Sequence, residues 1–279
     1  MIKIFKNSFL ITKNNLILIQ PLILFLLITS FSVLPLQKLQ QNAYGFYLVL
    51  LNILLLCSAF VAGWFGMIKK AVLNYRYKEM GVEYETNKDI SLLKSFFPSV
   101  GQYFFPTCAL GLLLSLITFV FIQVMAKVGL FLFSDISLLV KTLEISAKSV
   151  GEQVTFLNSL TTEQVMLLNK WLVFFMVTHF LFYLFLVFSP TIMFFKSKNP
   201  FIVLGQSISC VFKRPIVVIS ICIYLSFLGF IISGINALNL NLVFSLIRLF
   251  ITLISIIYFV VVVFLSYEEL FDSNNRTNG

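Results

Sequence analysis

The sequence predicts an all-α integral membrane protein with six transmembrane helices, arranged as three repeated units of an interfacial helix plus a helical hairpin. Hydrophobic residues make up 59% of the 279 residues and charged residues only 11%, too little charge for the surface of a soluble domain. A spanning helix needs about 20 mostly apolar residues. Six runs qualify as candidate spans: residues 16–33, 47–68, 104–125, 171–195, 216–235 and 242–265. Continuous runs of this kind indicate helices and not the alternating strands of a barrel.

The first run is the shortest of the six and contains Gln20 and Pro21. The basic residues before it (Lys3, Lys6 and Lys13) also fit a secretory signal peptide, whose removal would leave five helices. However, the polar start is long and the apolar run exceeds a typical signal-peptide core. We therefore expect an uncleaved anchor, with removal of this segment as the alternative.

Basic residues set the expected orientation, because cytoplasmic loops carry an excess of lysine and arginine. With the N-terminus inside, the outer segments hold only Lys38, Lys127, Lys141, Lys148 and Lys170. We therefore expect both termini in the cytoplasm and the chain in a cell membrane, the inner or plasma membrane of a bacterium. The net charge of +9 then needs no nucleic acid, since juxtamembrane basic residues attract anionic lipid headgroups at the cytoplasmic face.

Short amphipathic segments before the first, third and fifth spans indicate the repeat. Their apolar residues share one helical face in each case: Ile2, Phe5 and Phe9; Ile90, Leu93, Phe97 and Val100; Phe201, Leu204, Ile208 and Val211. A helix of this kind beside a span is expected in the membrane interface. The units would cover residues 1–68, 89–195 and 199–266. The alternative is that short juxtamembrane segments are amphipathic by chance.

The rest of the single predicted membrane domain, residues 1–279, consists of loops and a tail. Residues 134–170 form an extracytoplasmic helical insertion in the middle unit, with Ser134 or Asp135 as a cap. Thr161 and Gln164 form a capping box, a second helix start, and we expect two outer helices. Asn199 followed by Pro200 predicts the start of the third pre-span helix. Residues 267–279 are expected to be a flexible cytoplasmic tail.

Arg248 is the first candidate ligand-binding residue, because ionisable side chains inside spans are costly and mark functional sites. It lies about two turns inside the sixth span and could bind an anionic group of a lipid or solute. The alternative, which its shallow position favours, is that its side chain extends to the outer headgroups.

His179, the one histidine of the chain, is the second candidate and lies in the middle of the fourth span. One histidine cannot build a metal site alone, and a proton relay would need acidic partners that the spans lack. The favoured interpretation is a neutral histidine bonded to a neighbouring helix.

The sequence otherwise carries no recognised catalytic motif. It has no phosphate-binding glycine loop, no His-Glu-x-x-His and no Gly-x-Ser-x-Gly. The four cysteines have no metal-binding spacing, and none lies in a predicted outer loop. We therefore expect no catalytic residues, no metal, no cofactor and no enzymatic activity.

The layout resembles bacterial multi-pass membrane proteins related to the membrane domain of glycerophosphoryl diester phosphodiesterases. The similar segments are the repeated pre-span helices, above all residues 198–204 and 212–215, which lead into the fifth span. The resemblance would cover most of the chain, but its motifs are unspecific. It implies a membrane domain without the catalytic domain of those phosphodiesterases, so no activity is implied.

Two functions remain open at this stage. The first is a non-enzymatic protein that organises or assists other membrane components, with anionic lipids and a membrane protein as partners. The alternative is a transporter or lipid-handling permease for an anionic solute or lipid, using Arg248 and the prolines of the spans. An intramembrane enzyme comes third, because the spans hold few polar groups that could converge.

Overall fold

The structure, a computed structural model, describes residues 1–39, 43–81, 88–133, 137–146, 150–237 and 242–272. Every regular element within these ranges is a helix, as the apolar composition predicts. The helices are, in chain order, α1 (Ile2–Asn14), α2 (Ile19–Leu39), α3 (Ala43–Glu79), α4 (Lys88–Lys94), α5 (Phe96–Phe133), α6 (Ser137–Ser146), α7 (Val150–Ser159), α8 (Thr162–Leu186), α9 (Ser189–Phe195), α10 (Pro200–Lys213), α11 (Pro215–Ala237) and α12 (Leu242–Tyr267).

Five helical segments of the described chain are long and apolar enough to cross a membrane: Tyr47–Glu79, Ile90–Phe133, Thr162–Phe195, Pro215–Gly234 and Phe244–Phe271. A sixth span exists only if the bent pair of α1 and the helix that follows it counts as one, because the two parts meet at 76°. The prediction of an all-helical membrane protein is therefore confirmed, and the number of spans is five or six.

The internal contacts divide the chain into two compact units. Unit 1 comprises Met1–Leu112 and Phe185–Gly279, and unit 2 comprises Leu113–Leu184. The predicted insertion at residues 134–170 falls within unit 2.

Helix α12 is the centre of unit 1. It contacts α1, α2, α3, α9 and α11. Ile257, Val261, Val262 and Leu265 of α12 are completely buried. Their spacing of one turn places them on one side of the helix, so burial of this apolar stripe gives the unit its core.

Helix α1 packs on this core through a mixed face of apolar and polar residues. The buried residues are Ile4, Asn7, Ser8, Ile11 and Thr12. Ile2 and Phe9, which belong to the apolar face predicted for the membrane interface, are exposed in the described structure. The interfacial position of α1 stays a prediction.

Aromatic contacts fix α1 against the last two helices of the unit. The Phe5 ring stacks on the Tyr224 ring of α11 with centroids 4.0 Å apart. The Tyr224 and Tyr258 hydroxyls are hydrogen-bonded at 2.9 Å, and Tyr258 donates to the Phe5 carbonyl at 3.5 Å. The chain then turns at Asn15, and the Trp64 indole of α3 donates to the Leu18 carbonyl at 3.0 Å.

Helix α10 repeats the pattern of α1. Its buried residues are Val203, Leu204, Ser207, Cys210 and Val211, and Phe201 and Ile208 are exposed. The predicted start is confirmed, because the Asn199 side chain accepts a hydrogen bond from the Phe201 amide at 3.0 Å and Pro200 follows. Helix α10 ends at Lys213. Its C-cap residue Arg214 has φ and ψ of −143° and 63°, which resemble the −134° and 49° of Asn15, the C-cap of α1.

The second pre-span segment is not one helix, which corrects the sequence analysis. Helix α4 ends at Lys94, and the Ser95 hydroxyl bonds back to the Leu92 carbonyl at 2.6 Å. The Ser95 amide also donates to the Leu92 carbonyl at 3.0 Å, three residues back, so the regular α-helical pattern is interrupted at this residue. Helix α5 therefore begins at Phe96, eight residues before the predicted span, and Pro106 lies inside it.

Unit 2 has its own small core of Leu138, Phe156, Leu168 and Trp171 from α6, α7 and α8. The capping box is present: the Thr161 amide donates to Gln164 Oε1 at 3.0 Å, and the Gln164 amide to Thr161 Oγ1 at 3.3 Å. It begins α8, which runs on into the fourth span, and not a second outer helix. The predicted cap at Ser134 or Asp135 lies outside the described residues.

The segment after α12 remains helical. Tyr267 is buried at the end of α12, and a π-helical turn, Glu268–Asp272, follows it. The ring of Tyr267 stacks on that of Phe271, with centroids 5.9 Å apart. Helical structure therefore extends to Asp272, beyond the predicted start of the tail at Tyr267, because both aromatic rings have partners to pack on. Residues 273–279 lie outside the described part.

Candidate functional site

The structure places the two predicted ligand-binding residues in different units. Arg248 is half-buried on α12 of unit 1, and its carbonyl accepts a hydrogen bond from Thr252 at 2.9 Å. His179 is half-buried on α8 of unit 2, and its ring meets the Tyr183 ring edge-on with centroids 4.6 Å apart. Each residue is described within its own unit, and ligand binding by either of them stays a prediction.

The charged residues that the structure does bring together lie elsewhere, where α1, the end of α3 and the turn after α12 meet. We call this group the Arg76 cluster: Lys3, Asn7, Arg76, Glu79 and Glu268. Its members are spread over the chain, and each comes from the last or first turns of its helix. The helix ends are brought together because α1 and α3 both pack against α12.

The central bond of the Arg76 cluster joins Arg76 Nε to Glu268 Oε2 at 2.5 Å. The Glu268 side chain is only 4% exposed and that of Arg76 24%. The Glu79 carboxylate lies 4.0 Å from the Arg76 guanidinium and 3.9 Å from the Lys3 ammonium. It also accepts a hydrogen bond from the side-chain amide of Asn7 at 3.5 Å. Removing one member of such a buried pair leaves an uncompensated charge, which is strongly destabilising.

Uncharged polar side chains are also buried in this part of unit 1. Ser8, Asn74 and Ser266 are almost completely buried, and their side-chain oxygen and nitrogen atoms have no hydrogen-bond partner among the described residues. A buried polar group without a partner costs about 1–3 kcal/mol. The helices of unit 1 therefore carry more polar groups in their interior than stability alone would favour.

A second polar cluster holds the end of α9. The Lys69 ammonium of α3 donates to the Phe194 carbonyl at 2.6 Å, and the Tyr103 hydroxyl of α5 donates to the same oxygen at 3.2 Å. Lys69 also lies 5.3 Å from the centre of the Phe195 ring, and Lys198 lies 5.3 Å from that of Tyr103. Cations near the last carbonyls of a helix are favourable, so this cluster caps α9 and joins it to α3 and α5.

The described side chains do not offer a metal centre. Within the described ranges, no group of three or more histidine, cysteine, aspartate or glutamate residues is close enough to hold a metal ion. The four cysteines, Cys57, Cys108, Cys210 and Cys222, are free thiols. The chemistry available at the Arg76 cluster is therefore ion pairing and hydrogen bonding between helices.

Comparison with known proteins adds no family: no family model matches the chain, and neither a curated protein nor a solved structure is significantly similar to it. The resemblance to the membrane domain of glycerophosphoryl diester phosphodiesterases stays a prediction from the sequence.

The Arg76 cluster was not predicted from the sequence. Arg76 was not a candidate site residue, and Glu268 lies within residues 267–279, which were predicted to be a tail. One signal could have identified the pair, because each charge follows an apolar run and both ends lie on the same predicted side of the membrane. Opposite charges at the same depth on two spans are candidates for an ion pair.

Proposed function

We propose that this chain is a non-enzymatic, multi-pass membrane protein that organises or assists other membrane components. The observation that supports it most is the use of the buried charges. Arg76 and Glu268 bond to each other between two helix ends, and Lys69 bonds to the end of α9. Groups engaged in this way stabilise a frame and are not available for substrate chemistry.

The apolar surface of α11 is consistent with a role in contacting other membrane components. Only 11% of its most apolar stretch is buried in the described structure, compared with 39% for α12. Phe227 and Phe230 are among its exposed side chains. Helices in lipid associate by van der Waals packing, so a large and nearly unburied face can receive a helix of another protein.

We further propose that α1, α4 and α10 lie in the membrane interface, with both termini in the cytoplasm and the three units as repeats. The support for a repeat is strongest for α1 and α10. Ser8 and Ser207 occupy the same register and are both completely buried, and the breaks at Asn15 and Arg214 also correspond. The exposed residues Ile2 and Phe201 would face the acyl chains.

Two experiments test this proposal. In the first, native mass spectrometry of protein gently extracted from its own cells should show a second polypeptide in stoichiometric amount. In the second, a photo-crosslinking amino acid at the exposed Phe227 should capture that polypeptide, and one at the buried Ile221 of the same helix should not. Protein that carries only lipid, with no crosslinked polypeptide at Phe227, would contradict the proposal.

The second candidate function is a carrier or permease for an anionic solute or lipid. It rests on Arg248, a half-buried cation within a span. Under our main proposal, Arg248→Leu leaves membrane lipid composition and the bound polypeptide unchanged. An anion retained by the native protein and by Arg248→Lys, but lost from Arg248→Leu, would favour the carrier instead.

A further inference from the structure

A cavity of about 250 Å³ lies between α10 and the end of α12, within unit 1. Three basic side chains line it: Lys196 after α9, Lys213 at the end of α10, and Arg214 at the break before α11. The other side chains at the cavity are either polar and uncharged or form its apolar wall. They are Gln206, Ser209, Cys210, Tyr267, Leu270 and Phe271.

Positive charge is concentrated at this cavity. None of the ion pairs formed by side chains that the structure describes includes Lys196, Lys213 or Arg214. Glu268, which begins the neighbouring turn, is bonded to Arg76 instead. Three cations around one cavity create a positive potential that attracts an anion.

The cations surround one region. Lys196 and Lys213 line the same cavity as Cys210. Burial raises the pKa of the Cys210 thiol, and these two ammonium groups lower it. The Arg214 guanidinium lies 6.0 Å from the centre of the Phe271 ring, which also lines the cavity.

Gln206 supplies an uncharged hydrogen-bonding group. Its Oε1 atom is buried without a hydrogen-bond partner among the described residues. The oxygen and nitrogen of a glutamine amide are interchangeable by rotation, so the group can present its NH₂ donors to a ligand.

The ordinary roles of basic residues near a span do not explain this arrangement. Lys213 and Arg214 complement the C-terminal end of the α10 dipole, and cytoplasmic loops are rich in such residues. Neither rule requires Lys196, which follows α9, to line the same cavity. Neither rule explains why the Gln206 Oε1 atom at this cavity lacks a hydrogen-bond partner among the described residues.

We propose that this cavity, which we call the basic pocket, binds a phosphate group carried by an anionic phospholipid or by a free solute. Phosphate suits the site because it is a compact anion with several acceptor oxygens for lysine and arginine. The volume is below the roughly 300–1,000 Å³ of pockets for drug-sized ligands, so it accommodates one headgroup and leaves the acyl chains outside. Lys196, Lys213 and Arg214 are exposed, which leaves the pocket open to a headgroup beside α10.

The test uses the full chain in nanodiscs of phosphatidylcholine with or without 20 mol% phosphatidylglycerol, read by native mass spectrometry. A second arm uses phosphatidylcholine nanodiscs with inorganic phosphate or glycerol 3-phosphate in the buffer. We expect at least one retained anion in one of the arms. Lys213→Gln together with Arg214→Gln should reduce its retention roughly tenfold or more, because two cations near the anion are lost.

A matched control removes the same charge outside the basic pocket. Lys6→Gln with Lys94→Gln neutralises two exposed lysines of α1 and α4, which do not line this cavity. Lys213→Arg with Arg214→Lys keeps the charge and should keep the anion. The thermal midpoint of each variant in plain phosphatidylcholine nanodiscs reports whether it is folded.

The two arms identify the source of the phosphate, and the controls decide the proposal. Selective retention of phosphatidylglycerol assigns the pocket to a lipid headgroup, and retention of phosphate or glycerol 3-phosphate alone assigns it to a free solute. The proposal is overturned if neither arm shows a retained anion. It is also overturned if the pocket and control variants lose the anion equally.

Discussion

Replacing Glu268 by glutamine tests whether the Arg76 cluster holds α1, α3 and the turn after α12 together. The change keeps the size of the side chain and removes its charge. Arg76 would then face an amide, which can still accept a hydrogen bond but cannot neutralise the guanidinium. The loss in free energy of unfolding should therefore exceed that of a surface substitution, because the Glu268 side chain is only 4% exposed.

The size of the effect follows from the exposure of the two partners. Removing one member of a fully buried pair costs about 3–5 kcal/mol. Arg76 is 24% exposed, and Glu79 remains 4.0 Å away, so water and a second carboxylate reduce the loss. We expect about 2 kcal/mol for Glu268→Gln, which corresponds to a decrease of roughly 4–8 °C in the thermal midpoint for a protein of this size.

The assay is a thermal scan of the full chain in nanodiscs. Unfolding is monitored by tryptophan fluorescence, with the same scan rate for all variants. Glu144→Gln is the matched control, since Glu144 is exposed on α6 and forms none of the ion pairs described above. Its midpoint should change by less than about 2 °C, as for most surface substitutions. Arg76→Gln combined with Glu268→Gln should be less destabilised than the sum of the two single variants, because the pair is coupled.

Two results would refute this reasoning. One is a Glu268→Gln midpoint equal to that of Glu144→Gln. The other is a double variant whose loss equals the sum of the single losses, because additive effects mean that the two side chains do not interact.

Two further substitutions test other parts of the fold. Gly129→Ala places a methyl group against the buried Trp171 ring, so it should lower the free energy of unfolding by about 1–3 kcal/mol and the midpoint in the same thermal scan. Gly151 has open space around it, so Gly151→Ala should not lower the midpoint. Asn199→Ala removes the N-cap of α10 and should destabilise this helix by about 1 kcal/mol, which would appear as faster amide hydrogen exchange in the first turn of α10. Serine is also a good N-cap residue, so the amides of the Asn199→Ser variant should exchange at the native rate. An unchanged midpoint for Gly129→Ala, or equal exchange in both Asn199 variants, would contradict these assignments.

Local sequence rules predicted the elements whose causes are local. The Asn199-Pro200 start of α10 and the capping box at Thr161 depend on residues within three positions, and both are present. Apolar run length predicted six spans, and the described structure has five, or six if the bent pair at the start of the chain counts as one. The break at Ser95 was not predicted, because the apolar periodicity continues through it and the interruption is a single three-residue turn of the backbone.

The candidate site could not be predicted in the same way, because its bonds join distant parts of the chain. Arg76 and Glu268 are 192 positions apart, and the helical extension that carries Glu268 depends on tertiary packing of Tyr267 and Phe271. Periodicity identified the apolar stripe of α1 that contains Ile2 and Phe9 but not the face that packs on the protein, because that face depends on which side of α1 meets α12.

The separation of Arg76 from Glu268 has a consequence for how the protein is made. A ribosome that adds about 5–20 residues per second reaches Glu268 roughly 10–40 s after Arg76. During that interval α3 carries the Arg76 cation while its buried partner Glu268 has not been synthesised. The interval is longer for α1, because Tyr258, which bonds to the Phe5 carbonyl, is 253 positions after Phe5. Unit 1 can therefore close only after its last helix has emerged, so earlier intermediates expose their polar helix ends to the insertion machinery and to membrane proteases.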